Sequence, residues 1–339
     1  DRACDILAPT TCNFSIRRAT FLAIGGMDEN FSGGSHRCDA ELGYRLFQRT
    51  GRKVRFDPSA HLRHLHSGGG TRAFGAKDSW GALGSAISDH YFAARALGGS
   101  AALRYSLHRL VRAPINKYTL SHPWLIPSLC LREIVALVTA RLRRRRYPEN
   151  YVKPLERYVD VVRPEAASRD AAPDSLTVVL PSYMREDVLV QTLRAVVALL
   201  APRDEVVVVD QTPRHEPGTE AALRELEATG RVRWIHKARP SICEAMNVGA
   251  LVARGHVLVF LDDDVVPSEG LLEAHRRAVA GPGAPPAVCG QVLQPWNEAP
   301  VSHTASFEVG FDPAYDRPCE ILGLMAGNFS IRRETFLRV

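Results

Sequence analysis

The chain has 339 residues, enough for one large hydrophobic core or two modest ones. Its 45% hydrophobic and 24% charged content is that of an ordinary soluble globular protein and excludes wholesale disorder. The net charge of +6 is mild and partly local, since Arg141, Arg143, Arg144, Arg145 and Arg146 lie within six positions. No nucleic-acid surface of interleaved basic and aromatic residues is implied. Seven cysteines (4, 12, 38, 130, 243, 289, 319) form neither a CxxC pair nor a Cys/His metal spacing. Scattered thiols suit a reducing cytoplasm better than a disulfide-stapled, secreted fold. No signal peptide and no apolar run of bilayer length is present, and the chain starts mid-pattern at Asp1, reading as an excised piece.

The opening DRACDILAPTTCNFSIRRATFL recurs as DRPCEILGLMAGNFSIRRETFL at Asp316–Leu337, with a constant offset of 315 residues and fourteen matches. The block Asn13–Arg18 is unbroken against Asn328–Arg333. A duplicated surface helix is the plain alternative. An ungapped match of this length instead implies a chain that starts and stops at the same point of a unit of about 315 residues, with the last quarter of one unit coming first.

Further along, Gly25–Gly26 precede Asp28–Glu29 in a turn segment. Leu42 and Leu46 are one helical turn apart and Gly51 suits the helix end, which puts Asp39 near the helix N-terminus. There the dipole favours its ionised form, a simple N-cap being its bland role. VRFDPSAHLRHLHSGGGTR reads as a strand running into a glycine loop. His61, His64 and His66 invite a metal reading, although strand histidines mostly pack or face solvent. Ser67–Gly70 and Arg72 suit phosphate through backbone N–H groups and a guanidinium, or form a plain surface loop. Residues 78–160 read as helical. Within them PWLIPSLCLREIVALVTARLRRRR fits a packing helix with a solvated basic tail, or an amphipathic helix on an anionic membrane surface. VRPEAASRDAAPDS, at 162–175, reads as a linker.

From Leu176 the pattern is βαβ. LTVVLPSY, EVVVVD, RVRWIHK and HVLVFLDDDVVP are successive apolar strands separated by helical spacing, as in a mostly parallel sheet covered on both faces. Ligands of such sheets gather beyond the carboxyl ends of the strands, where Pro181–Arg185, Asp210 and Asp262–Asp264 stand. Three adjacent carboxylates at a strand end cost free energy unless a positive partner neutralises them. Magnesium or manganese is the natural one. A solvent-exposed acidic turn is the alternative, disfavoured by the apolar run before it.

These pieces resemble the family-2 glycosyltransferases of the GT-A fold. The similarity rests on PSYMRED (181–187), VVVVDQT (206–212), ICEAMNVGALVARG (242–255), FLDDDVVP (260–267) and MAGNFSIRR (325–333), in the family's own order. Residues 12–72 resemble the family's continuation past the last of these motifs. The resemblance implies that Pro181, Tyr183, Arg185, Asp210, Arg239, Asn247, Asp262, Asp263 and Arg72 serve the donor. Tyr183 and Arg185 would lie along the base, Asp210 on the base edge, and Asp262 at the ribose. It implies Asp264 and His64, with His66 as neighbour, as metal or diphosphate ligands. Gly327, Asn328, Asp28 and Glu29 fall on the acceptor side. Where the family carries an acidic pair whose second member is the general base, this chain has Cys38–Asp39, which keeps only Asp39. A second departure is Gln211–Thr212 after Asp210, where an acidic residue or glycine is common, so the base identity stays open.

The implied fold is α/β, GT-A, Rossmann-like, with a mostly parallel sheet and flanking helices. It is split into a catalytic back half (1–110), a helical connector and linker (111–175) and a nucleotide-sugar-binding front half (176–339). The expected activity is metal-assisted, inverting transfer from a nucleotide-diphosphate sugar to a hydroxyl of a glycan, lipid-linked or other acceptor, with Mg²⁺ or Mn²⁺ as cofactor. No nucleic-acid partner is expected. The expected location is cytoplasmic, with peripheral membrane contact through 123–146 as an option. Three other readings compete: a tandem enzyme whose halves pair elsewhere, a non-catalytic sugar-binding fragment without a shared site, and a nucleotidyltransferase. The last would want a glycine- and lysine-rich loop where PSYMRED stands.

Overall fold

The computed structural model describes residues 4–6, 11–31, 35–68, 83–97, 99–115, 117–146, 157–158, 174–281 and 283–293, side chains excepted at 4–6, 117–118 and 144–146. Arg72, Gly327, Asn328 and the whole second copy of the repeat lie outside the described residues. In chain order the first part holds β1 (Cys4–Ile6), β2 (Asn13–Arg17), α1 (Arg18–Ala23), α2 (Cys38–Thr50) and β3 (Val54–His64). A helical part comes next: α3 (Leu83–Phe92), a π-helical turn (Ala93–Leu97), α4 (Gly99–Arg112), α5 (Lys117–Ser121), a 3₁₀ turn (Pro123–Leu125) and α6 (Ile126–Arg146). The expected linker at 162–175 lies outside the described residues except for 174–175, and from Leu176 come β4 (Leu176–Ser182), α7 (Asp187–Ala198), β5 (Glu205–Asp210), α8 (Pro217–Ala228), β6 (Val232–His236) and α9 (Ile242–Val252). The last described elements are β7 (Val257–Leu261), β8 (Val265–Pro267), α10 (Leu271–Val279) and β9 (Ala287–Leu293).

The strands form one nine-stranded sheet in the order β1-β3-β9-β2-β7-β4-β5-β6, with β8 paired to β3. The ladders β4–β5, β5–β6, β4–β7 and β3–β9 are parallel. Because β2 is antiparallel to both β7 and β9, six strands run one way and only β1, β2 and β8 oppose them. The expected mostly parallel α/β sheet is therefore present. β4, β5 and β7 are buried almost throughout, as continuous β-branched and apolar runs are when helices cover both faces. On one face α7, α8 and α10 pack against the Val178, Val206 and Val259 side of the sheet. On the other, α9 and α2 pack against Val179, Phe14 and Phe260.

Strands from residues 4–64 and from residues 176–293 thus interleave. NFSIR is a strand in the middle of the sheet, with Phe14 opposite Phe260 on β7 and Cys289 on β9. A polar clasp fixes its register. Asn13 Nδ2 donates to the carbonyls of Ala60 and Gln291, at 2.9 Å each, which turns its Oδ1 toward His275. The neutral His275 ring then donates from Nε2 to Asn13 Oδ1 and accepts from Ser15 Oγ at Nδ1. Gly290 makes room for this: a Cβ there would run into Ala60 O and the Asn13 amide.

A second seam joins α9 to the turn after α1. Asn247 Oδ1 accepts from Met27 N, and its Nδ2 donates to Met27 O and Glu29 Oε1. Arg18 reaches the Ala250 and Leu251 carbonyls at the end of α9.

One expectation needs correcting. HVLVFLDDDVVP is not one strand: β7 stops at Leu261, the three aspartates turn, and Val265–Pro267 pair with β3 instead. Mutual repulsion and their hydrogen bonds to neighbouring loops take the carboxylates off the ladder. α6 packs on the core through Ala136 and Ala140, with much of its larger apolar surface outside. Arg132, Glu133, Ala136 and Ala140 face inward, whereas Leu131, Ile134, Val138 and Leu142 face out.

Candidate active site

The parallel strands deliver their carboxyl ends to one edge, and the turn after β7 sits there. His64, at the end of β3, comes within 3.3 Å of both Asp262 Oδ2 and Asp264 Oδ1 through Nε2. One ligand atom from each of His64, Asp262 and Asp264 lies within 4.8 Å of the others, the only such group of three or more among the described residues. The antiparallel β3–β8 ladder, running from Leu62–His64 against Val265–Pro267, holds the histidine over the acidic turn. Two carboxylates and an imidazole fit a divalent cation, and the oxygens suit Mg²⁺ or Mn²⁺. In the present geometry the His66 N–H donates to His64 Nδ1 at 3.1 Å, so the ring proton sits on Nε2. Ligation through Nε2 therefore requires that proton to move to Nδ1 and the backbone bond to break. His66 itself has a left-handed backbone, with φ 56°.

Arg185 neutralises the remaining charge. Its guanidinium is 3.1 Å from Asp264 Oδ2 and 3.3 Å from Asp263 Oδ1, and it also donates to the Gly68 carbonyl. The Ser67 N–H donates to Asp264 Oδ2 at 2.9 Å, which leaves Oδ1 toward His64. Burial pushes Asp264 above the usual carboxylate range and Asp262 adds to it, against Arg185 and the Ser67 N–H. Asp263 points inward, accepts from Ser182 Oγ at 2.7 Å, and is pushed up by burial to about 7.

Asp39 occupies the first turn of α2, as expected, and its Oδ1 accepts from the Ala40 N–H at 2.8 Å. Gly51, in the left-handed region, ends this helix by donating to Phe47 O. Burial pushes the Asp39 carboxyl up. The Ala40 N–H and the Arg37 guanidinium pull it back, and Asp262 is near enough to raise it further. Asp39 and the acidic turn, from opposite sides of the linker, thus share one electrostatic environment. Arg37 precedes the helix with φ 73° and is held 3.0 Å from the buried Asp89.

The other expected residues lie elsewhere or are committed to the scaffold. Asp210 is fully buried: Oδ1 accepts from the Thr212 N–H, and Oδ2 meets His215 Nε2 at 2.7 Å and Trp234 Nε1 at 3.0 Å. Burial alone would lower the pKa of His215, but Asp210 and Glu186 raise it above its ordinary value. Asn247 and Glu29 hold the seam to α9, and Asp28 accepts from Tyr91 OH and from Asn30. Arg185 is turned onto the aspartates, leaving half-buried Tyr183 and exposed Met184 at the mouth of the first loop. Pro181 is half-buried in the β4–β5 ladder, and Arg239 is exposed before α9. Sequence reasoning missed Lys237, which is fully buried, 2.7 Å from Glu244 and bonded to the Arg239 carbonyl. A lysine four residues before a Ser-x-x-Glu helix start was the available signal.

Fold and site together define an α/β protein of the GT-A type, with a cation-competent acidic turn at the strand ends. The profile of the family described as Glycosyl transferase family 2 matches residues 177–337, just under half of the chain, and supports sugar transfer as its general chemistry. No curated protein matches. Among solved structures, the mannosyltransferase PcManGT from Pyrobaculum calidifontis, in complex with GDP-Man and Mn²⁺, is 22% identical, with 38% of each chain covered and a TM-score of 0.29. A likeness of that size carries no weight for fold or function.

Proposed function

We propose that the protein transfers a sugar from a nucleoside-diphosphate sugar to an acceptor hydroxyl by single displacement with inversion, in one site completed by residues from both sides of the linker. The observation that carries this reading is the gathering of His64 from β3 with Asp262 and Asp264 from the turn after β7, with Asp39 of α2 near enough to be raised by Asp262. Asp262 and Asp264, joined by His64 once its Nδ1 is protonated, hold a divalent cation. When bound, Mn²⁺ or Mg²⁺ offsets the charge that develops on the departing diphosphate. Arg185 and the Ser67 N–H fix the Asp264 carboxylate, and Asp263 with Ser182 fixes Arg185. Tyr183 and Asp262 face the nucleoside of the donor. Asp39 takes the proton of the acceptor hydroxyl, and a carboxyl raised by burial is a better base near neutral pH than an ordinary one. Asp210, Asn247, Asp28 and Glu29 act indirectly, by holding strand ends and the α9 seam.

Turnover of a panel of nucleotide sugars with Mn²⁺ or Mg²⁺ tests this. Asp39→Asn is expected to lower kcat roughly a hundred- to ten-thousandfold with the donor KM little changed. Asp264→Ala is expected to abolish the metal response. Unchanged turnover in both variants would overturn the assignment.

A further inference from the structure

Of the thirteen large hydrophobic residues most exposed among the described ones, ten lie between 103 and 142. On α4, Leu103, Leu107 and Val111 recur every fourth residue and are 49%, 52% and 58% exposed. On α6, Leu131, Ile134, Val138 and Leu142 make a second stripe at helical spacing. Trp124, in the turn leading into α6, is 69% exposed. The buried face of α6 carries Arg132 and Glu133 beside Ala136 and Ala140, while the larger Leu131, Ile134, Val138 and Leu142 stand outside. Arg132 and Glu133 join His90, Arg109 and Asp89 in a buried ion cluster, so the apolar face is not left outside for want of an inner one.

Charge distinguishes the partner. Residues 83–146 hold eleven Lys and Arg against two carboxylates, a net +9 where the whole chain is +6. Both carboxylates, Asp89 and Glu133, are buried in the ion cluster. Beside each exposed apolar residue of α4 stands an exposed base: Arg104, His108 and Arg112. Arg141 does the same on α6. A second copy would set this cationic surface against itself. An anionic bilayer matches both the apolar stripes and the bases.

We propose that the α4–α6 face docks peripherally on anionic lipid, with Leu107, Leu131 and Trp124 entering the headgroup boundary and the arginines meeting lipid phosphates. Among the described residues no helix is long and apolar enough to cross a membrane. The docking stands independently of the sugar-transfer reading, because its test needs no turnover.

Co-sedimentation of the full chain is measured with phosphatidylcholine vesicles and with equimolar phosphatidylcholine–phosphatidylglycerol vesicles. Binding is expected to the second only, and to weaken at high salt. Removing Arg104, Arg112 and Arg141 by alanine is expected to weaken it roughly a hundredfold, at about 1 kcal/mol or fivefold per cation near an anionic surface. Leu107→Ser with Leu131→Ser is expected to weaken it at least tenfold, while far-UV circular dichroism and the melting temperature stay at wild-type values. A blue shift of emission on vesicle addition that disappears in Trp124→Ala supports insertion. Absent binding, binding indifferent to the leucine changes, or a dimer that the leucine changes render monomeric without any vesicle binding would each overturn the proposal.

Discussion

The sheet from β4 to β7 and the helical part from α3 to α6 differ in what they bury. The first packs Val, Leu and Phe between helices and sends its carboxylates to the strand ends. The second buries Ile87, Tyr91 and several alanines, but sets an ion cluster beside them and sends Leu103, Leu107, Leu131 and Leu142 to solvent. The rule that apolar residues lie inside therefore holds through the first region and only in part of the second. A helix keeps its charges inside when the medium outside is not simply water, or when those charges are mutually satisfied. The largest effect that separates the regions is expected at Glu133, which is fully buried, with Arg132 at 2.9 Å, Arg109 at 3.0 Å and His90 at 3.3 Å. Glu133→Ala leaves cations buried and uncompensated, and is expected to cost about 3–5 kcal/mol in denaturant unfolding. A loss under about 1 kcal/mol would place the cluster with exposed ion pairs.

Acid should strike next, in both regions but in different windows. Burial holds His275 neutral in the clasp and lowers its pKa to about 4 from an ordinary 6.5. The unfolded chain binds that proton first as pH falls, so the contribution is complete above 6.5 and is lost as pH falls toward 4. The full loss is about 3 kcal/mol. Burial alone would raise Asp89, but Arg109, His36 and Arg37 hold it below its ordinary value, so its contribution disappears only at lower pH. Asp263, raised by burial to about 7, works in the opposite direction over the same window, so the His275 step is read as a difference: the stability of the protein minus that of His275→Gln should fall between pH 6.5 and 4 and stay level below it.

Much of the sheet was legible because one signal dominated each strand. EVVVVD allows no reading but a strand covered on both faces, and Leu42, Leu46 and Gly51 bracket α2 by spacing alone. NFSIR alternates polar and apolar residues, but five residues are too few to place it: its position depends on β7 and β9, 240 or more residues away. The acidic turn was visible as a place where carboxylates gather, yet the hydrogen-bond partners of Asp210 and Asn247 were not. Their partners, Trp234, His215 and Met27, are selected by topology. The outward stripe of α6 was invisible for a related reason: a hydrophobic stripe is helical whichever way it faces, and the ion cluster and alanines on the far side decide.

The clasp around β2 offers a smaller test. Gly290→Ala pushes a Cβ into Ala60 O and the Asn13 amide, and is expected to cost about 1–3 kcal/mol. In an Asn13→Ala background the methyl meets only part of that obstruction, so the cost should fall. Additive costs would mean that the glycine serves the backbone approach alone.

The smallest effect is the most informative about the comparison. Leu180, on β4, is fully buried in the sheet core, and Leu180→Ala is expected to cost about 2–5 kcal/mol. Leu131 is 53% exposed, and Leu131→Ser is expected to fall within about 0.5 kcal/mol of wild type in the absence of lipid. If the leucines of α6 were packing against an element of this chain, that substitution would cost as much as a core change, and thermal melts of the two variants would coincide. A neutral Leu131→Ser beside a costly Leu180→Ala would show that the same residue type, in helices and strands of one chain, is held for folding in one region and kept for a partner in the other.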